Sequence, residues 1–102
     1  MADWIDVAAA DAVSEDEPLA AAAGGKPLAL FKLGGEVFAL HDLCSHGQAR
    51  LSDGFIEGDT VECPLHQGLV CIKTGAARSA PITEPTQAYP ARIVGDRIEV
   101  LV

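Results

Sequence analysis

Two short segments constrain this chain more than any others: Cys44-Ser45-His46 and, beyond residues 47 to 62, Cys63-Pro64-Leu65-His66. Each offers one thiolate and one imidazole at close spacing, and a metal centre draws such soft and borderline donors from two converging loops. The residues between them carry their own pattern. Phe55-Ile56-Glu57 and Thr60-Val61-Glu62 flank Gly58-Asp59, a two-residue turn signal, so a small strand-turn-strand insert is expected to separate the loops in sequence and return them together in space.

A single zinc satisfies its tetrahedral preference with two Cys and two His, but zinc fingers usually pair Cys with Cys and His with His on separate elements. Here each loop supplies one of each, which suits a two-iron cluster with both Cys on one iron and both His on the other. The pattern C-x-H-x16-C-x-x-H resembles the Rieske [2Fe-2S] motif. That resemblance implies one [2Fe-2S] cluster per chain, with Cys44, His46, Cys63 and His66 as its ligands. Cys44 and Cys63 would hold an inner iron, and His46 and His66 an outer iron whose ring edges face a docked partner.

Two neutral imidazoles in place of two thiolates make the oxidised cluster neutral overall, where an all-Cys cluster is two charges more negative. Adding an electron then costs less, consistent with Rieske potentials of roughly −150 to +300 mV against about −400 mV for plant-type ferredoxins. The high-potential members carry an additional disulfide-forming Cys in each ligand loop, where this chain has Ala49 and Leu65, and they continue with Gly and Ser after the second His, where it has Gln67 and Gly68. The low end of the range is expected. What remains resembles the small soluble Rieske ferredoxins of bacterial aromatic-ring-hydroxylating oxygenases. The resemblance implies an all-β, antiparallel sandwich of the Rieske type over residues 1–102, with a cluster-binding subdomain at about 43–82 inserted between hairpins. It also implies a proline-bearing loop over the cluster, for which Pro81 in Ser79-Ala80-Pro81-Ile82 is the candidate. Gln48, Leu65, Gln67 and Pro81 are expected to form the contact rim.

The inventory excludes some roles. Oxygenase large subunits carry a further iron on two His and a carboxylate; with three His in all and two committed, His41 alone cannot build that site. A dinucleotide fingerprint G-x-G-x-x-G is missing too. Electrons therefore arrive from one protein and leave to another, read as an NADH-dependent flavoprotein ferredoxin reductase and a terminal oxygenase, with no small-molecule substrate. An electron donor for a different reductase or oxygenase system is the alternative, and a zinc-stabilised interaction module a remoter one. A net charge of −8 and a pI near 4.6 argue against nucleic acid. With no basic, apolar leader and no run long enough for a membrane span, a cytoplasmic location is expected.

Elsewhere, Trp4-Ile5-Asp6-Val7 alternates as a short strand with Trp4 packing, Ala8 to Val13 suits a helical turn, and Ser14 to Pro18 an exposed acidic loop. Alanine propensity favours helix at Leu19 to Ala23, but five residues are too few, and the resemblance implies a strand turned at Gly24-Gly25. Pro27 to His41 reads as a hairpin about Gly34-Gly35, with Phe31 opposite Phe38, Ala29 opposite Leu40 and Leu33 opposite Glu36. His41 is taken as a structural strand-end residue. Gly47 and Gly68 are candidates for backbone N–H donation to the cluster. Leu69 to Lys73 reads as a buried strand, with Cys71 as a small hydrophobe, not a ligand. A last hairpin pairs Ala88 to Val94 with Arg97 to Val102 about Gly95-Asp96, setting Ile93 against Ile98 and Arg92 against Glu99. Asp42, Asp53, Glu57, Asp59 and Glu62 are expected to steer a partner.

Overall fold

The computed structural model describes residues 3–43, 50–64, 68–78 and 85–102. Among the described residues, ten strands make three antiparallel sheets. β1 (Trp4–Ala9), β10 (Arg97–Leu101) and β9 (Ala91–Val94) form an outer sheet in the order β1-β10-β9. β2 (Leu19–Ala23), β3 (Lys26–Leu33), β4 (Glu36–His41) and β8 (Ala88–Tyr89) form the central sheet, and β5 (Phe55–Glu57), β6 (Thr60–Glu62) and β7 (Leu69–Cys71) a small third sheet inserted between β4 and β8.

The central sheet is buried on both faces, which explains why β3 reads as the unbroken apolar run Leu28-Ala29-Leu30-Phe31 and not as an alternation. Leu28 and Leu30 point with Val37 and Ala39 into a core shared with Ile98, Val100 and Val13 of the outer layer. Ala29, Phe31 and Leu40 point the other way, into a core shared with Leu51, Val61, Cys63, Val70 and Ile72. The sandwich and the inserted subdomain thus meet across one sheet, and Cys63 lies in that second core.

The hairpin registers follow the turn glycines. Phe31 pairs Phe38, Ala29 pairs Leu40 and Leu33 pairs Glu36, closed by Gly34 and Gly35 at φ +58° and +83°. Leu19–Ala23 is a strand paired residue for residue with Lys26–Leu30, so tertiary pairing overrides alanine's helix preference. The acidic loop is exposed, but Glu15 accepts the Gly34 N–H at 2.8 Å and thereby fastens to the β3–β4 turn. The helical turn shrinks to three residues, Ala10–Ala12, because Ala8 and Ala9 remain in β1 beyond its bulge.

Two strand expectations need correction. Leu69 to Lys73 is a strand only to Cys71; Ile72 starts a turn in which the Gly75 N–H donates to the Cys71 carbonyl at 2.7 Å. Ala88 to Val94 is not one strand. Pro90, which has no N–H to give a ladder, divides it into β8 beside β4 and β9 beside β10. The register of the final hairpin nevertheless holds: Ile98 pairs Ile93, Glu99 pairs Arg92, and the Arg92 and Glu99 side chains meet at 2.7 Å. Arg92 also stacks 3.9 Å above the ring of Trp4, so Trp4 packs at the surface and not in the core.

Thr86 is buried, and among the described residues its hydroxyl has no hydrogen-bond partner. An orphaned buried hydroxyl is a net cost. Thr86→Val keeps the shape and removes the polar atom, so it is expected to stabilise the protein by about 1 kcal/mol. Thermal unfolding followed by circular dichroism reads this as a midpoint several degrees higher.

Candidate metal centre

Of the four motif donors, Cys63 is among the described residues; Cys44, His46 and His66 lie outside them, as do Gly47, Gln48, Ala49, Leu65, Gln67 and the Ser79 to Ile82 loop with Pro81. Residues 44–49 are entered at Leu43 and left at Arg50, which form an antiparallel bridge. Residues 65–67 lie between Pro64 and Gly68, where the Cys63 N–H donates to the Gly68 carbonyl at 2.8 Å. Gly68 is thus seen as a carbonyl acceptor closing the loop base. Residues 79–84 begin after Arg78, whose N–H donates to the Leu69 carbonyl at 2.8 Å; three residues beyond them, the Gln87 carbonyl takes the His41 N–H at 2.8 Å.

These bonds link the three segments at their ends. The third begins beside the strand that follows the second, and its far end lies beside the strand that leads into the first. The exit of the first is pressed onto β6. A Cβ placed on Gly54 would come within 2.2 Å of the Glu62 carbonyl, so only glycine allows the turn after Leu51 to lie against the strand leading to Cys63.

Cys63 is 0% exposed, has no disulfide partner among the described residues and is packed among Leu51, Val61, Val70 and Ile72. Cys71 is also buried and without a disulfide, but its surroundings differ. Its sulfur accepts a hydrogen bond from the Arg78 guanidinium at 3.4 Å. Burial pushes the Cys71 thiol up, and hydrogen bonds from Thr74, Arg78 and Lys73 outweigh it, leaving the pKa below the ordinary thiol value. Cys71 is therefore more than a small hydrophobe. It anchors Arg78, which also lies 3.9 Å from Asp59, at the start of residues 79–84.

His41 ends β4 as expected, its backbone paired with Leu28 and bonded to Gln87. The acidic residues divide. Asp53 and Glu57 are exposed, Asp59 is exposed beside Arg78, and Glu62 is half-buried. Asp42 is 1% exposed and cannot steer a partner; it faces inward because its carboxylate is consumed by Ser52. Sequence reasoning missed Ser52, Gly54 and Arg78. Only the D-G step at Asp53-Gly54, a turn signal, hinted at any of them.

The Rieske [2Fe-2S] domain profile matches residues 3–90. The anthranilate 1,2-dioxygenase ferredoxin subunit of Burkholderia cepacia is 58% identical over 98% of this chain and 93% of its own length. Among solved structures, the Sphingomonas yanoikuyae B1 ferredoxin superposes with a TM-score of 0.91 at 34% identity, covering 96% of this chain and 97% of that one. A chain in a complex of reduced oxygenase and oxidized ferredoxin in carbazole 1,9a-dioxygenase superposes with a TM-score of 0.87 at 33% identity, covering 95% of this chain and 91% of that one. The donor chemistry fits the group such proteins carry. Cys63 is a buried thiol unclaimed by a disulfide, at the base of the second motif segment, and thiolate sulfur is the ligand iron–sulfur clusters require.

Proposed function

This chain belongs to the Rieske [2Fe-2S] domain family, and on that premise we propose that it is a one-electron carrier, taking electrons from an NADH-dependent flavoprotein reductase and passing them to a terminal aromatic-ring-hydroxylating oxygenase. It is a ferredoxin component and not the oxygenase. The observation that carries this reading is the buried, unbridged Cys63 at a frame whose backbone hydrogen bonds tie together the ends of all three segments. The ferredoxin names of its relatives support it.

Cys44 and Cys63 would hold one iron of the cluster, and His46 and His66 the other. When bound, the cluster supplies a single reversible electron at intermediate potential. The chain's own residues do the rest. The apolar core around Cys63 excludes water from the thiolate side. The hydrogen-bonded loop bases would limit how far the ligand-bearing segments rearrange when the charge changes. His46 and His66 would be the ligands nearest a docked partner, with Gln48, Leu65, Gln67 and Pro81 as the proposed rim. The whole chain, 1–102, acts as one domain, with residues of about 43–82 as its cluster-binding part. No helix among the described residues is long and apolar enough to cross a membrane, and a cytoplasmic site of action is proposed.

The test is direct. Purified protein is expected to contain two irons and two sulfides per chain, to be reddish-brown, and to give after dithionite reduction the rhombic, low-average-g paramagnetic signal of Rieske centres. Colourless, zinc-loaded protein would overturn the reading, because zinc's full d shell gives no visible absorption. Steering by Asp53, Glu57 and Glu62 has its own consequence. Stopped-flow electron transfer to the oxygenase is expected to slow by on the order of tenfold as salt rises and the Debye length falls from about 30 Å to about 8 Å. Rates indifferent to salt would remove the steering role and leave the carrier role intact.

A further inference from the structure

Asp42 has no part in the reading above, yet it is the one buried carboxylate among the described residues. It is the second residue before Cys44 and is 1% exposed. Its Oδ1 accepts the Ser52 N–H at 2.7 Å and its Oδ2 accepts the Ser52 hydroxyl at 2.8 Å. Its carbonyl accepts the Leu51 N–H at 2.7 Å, and its own N–H donates to Pro27 of β3 at 3.0 Å. The Arg50 guanidinium stands 3.9 Å from Oδ2 at the solvent boundary.

Packing alone does not call for this arrangement. A buried carboxylate is costly to desolvate, and an apolar side chain of similar size would fill the same space more cheaply. What the carboxylate adds is direction. Its two oxygens and its carbonyl grip the two residues that follow Arg50, so the entry and the exit of residues 44–49 are held to each other and, through Pro27, to the central sheet. The Leu43 to Arg50 bridge lies inside this clasp.

We propose that Asp42 is a positioning residue for the cluster, a buried clasp that fixes the span of the segment bearing Cys44 and His46. This rests on the ligand assignment above. Donors bound to one cluster must keep a fixed separation, and a segment fixed at both ends keeps its donors in register without the metal's help. Asp42→Ala releases Ser52 and leaves its N–H and hydroxyl without their acceptor. Asp42→Asn retains an acceptor oxygen and an amide for the Ser52 hydroxyl.

The experiment uses reconstituted full-length protein and reads two quantities: the rate of iron release to a ferrous chelator, and the paramagnetic spectrum after reduction. Asp42→Ala is expected to release iron about tenfold faster than wild type, with a broadened spectrum, while Asp42→Asn stays close to wild type in both. Val100→Ala, which opens a cavity in the core remote from the clasp, controls for lost stability. If it releases iron as fast as Asp42→Ala, or if Asp42→Ala matches wild type, the proposal is wrong. Should Asp42→Ala fail to fold, Ser52→Ala removes only the hydroxyl bond; faster iron release than wild type supports the clasp, and an unchanged rate and spectrum overturn it. A wild-type protein that takes up no iron at all refutes the ligand assignment instead, so the two failures are distinct.

Discussion

Cys63→Ser is expected to yield a folded protein with iron and sulfide near zero per chain, no visible colour and no paramagnetic signal on reduction. Serine is close to isosteric with cysteine, so the core of Leu51, Val61, Val70 and Ile72 around this position can still close. The Cys63 backbone N–H to Gly68 is untouched by the change. What disappears is the thiolate, the soft ligand on which iron–sulfur clusters depend. The hydroxyl, buried without an evident partner, is expected to cost a further 1–3 kcal/mol or about that much in stability. Cys71→Ser is the matched control. It alters a second buried thiol, one that serves Arg78, and it should leave colour and iron content intact. If the Cys71 variant loses iron and the Cys63 variant keeps it, the ligand assignment is inverted.

Gly75→Ala should be the most damaging single-methyl substitution outside the motif. Gly75 sits at φ +80°, and a Cβ there would lie 2.0 Å from the Thr86 carbonyl oxygen, a backbone atom that cannot rotate away. The Gly75 carbonyl accepts the Thr86 N–H at 2.7 Å, so the clash and the hydrogen bond involve the same pair of residues and cannot be relieved separately. A left-handed backbone with a side chain costs about 1–2 kcal/mol. With the forced separation added, a loss of about 3 kcal/mol is expected, a fall in melting temperature on the order of 15 °C for a domain of this size. Gly34→Ala is the comparison. Its φ is +58° and nothing lies within 4 Å of the added carbon, so it should show the backbone cost alone. Equal losses at both sites would mean that the Thr86 contact is unimportant. The damage at Gly75 should also reach the site, because Thr86 and Gln87 anchor the far end of residues 79–84 to the turn after β7 and to His41.

The parts of this fold legible beforehand are those whose information is local. Gly34-Gly35, Gly58-Asp59 and Gly95-Asp96 mark two-residue turns, and once a turn is set the register of its hairpin follows, from Phe31 against Phe38 to Arg92 against Glu99. Leu19 to Ala23 needed the family resemblance, because its own propensity points to helix and its strand state comes from pairing with β3. Pro90 was visible in the sequence, but its consequence was not. A proline predicts a break, and only the packed structure decides that the two pieces join different sheets.

The chemistry divides along the same line. Donor identity and spacing in Cys44, His46, Cys63 and His66 are properties of the chain itself, since thiolate and imidazole bind metal wherever they stand. Their pattern is what carries the resemblance to the Rieske [2Fe-2S] motif. The groups that hold the centre's supports belong to the tertiary structure. Asp42 stands in the sequence as one of five acids expected to steer a partner, yet its carboxylate is closed on Ser52, and Arg78, which no sequence signal marks, places its guanidinium on the Cys71 sulfur. An acid's role depends on whether water reaches it, and burial is decided by residues distant in sequence, here the layers on either side of β3.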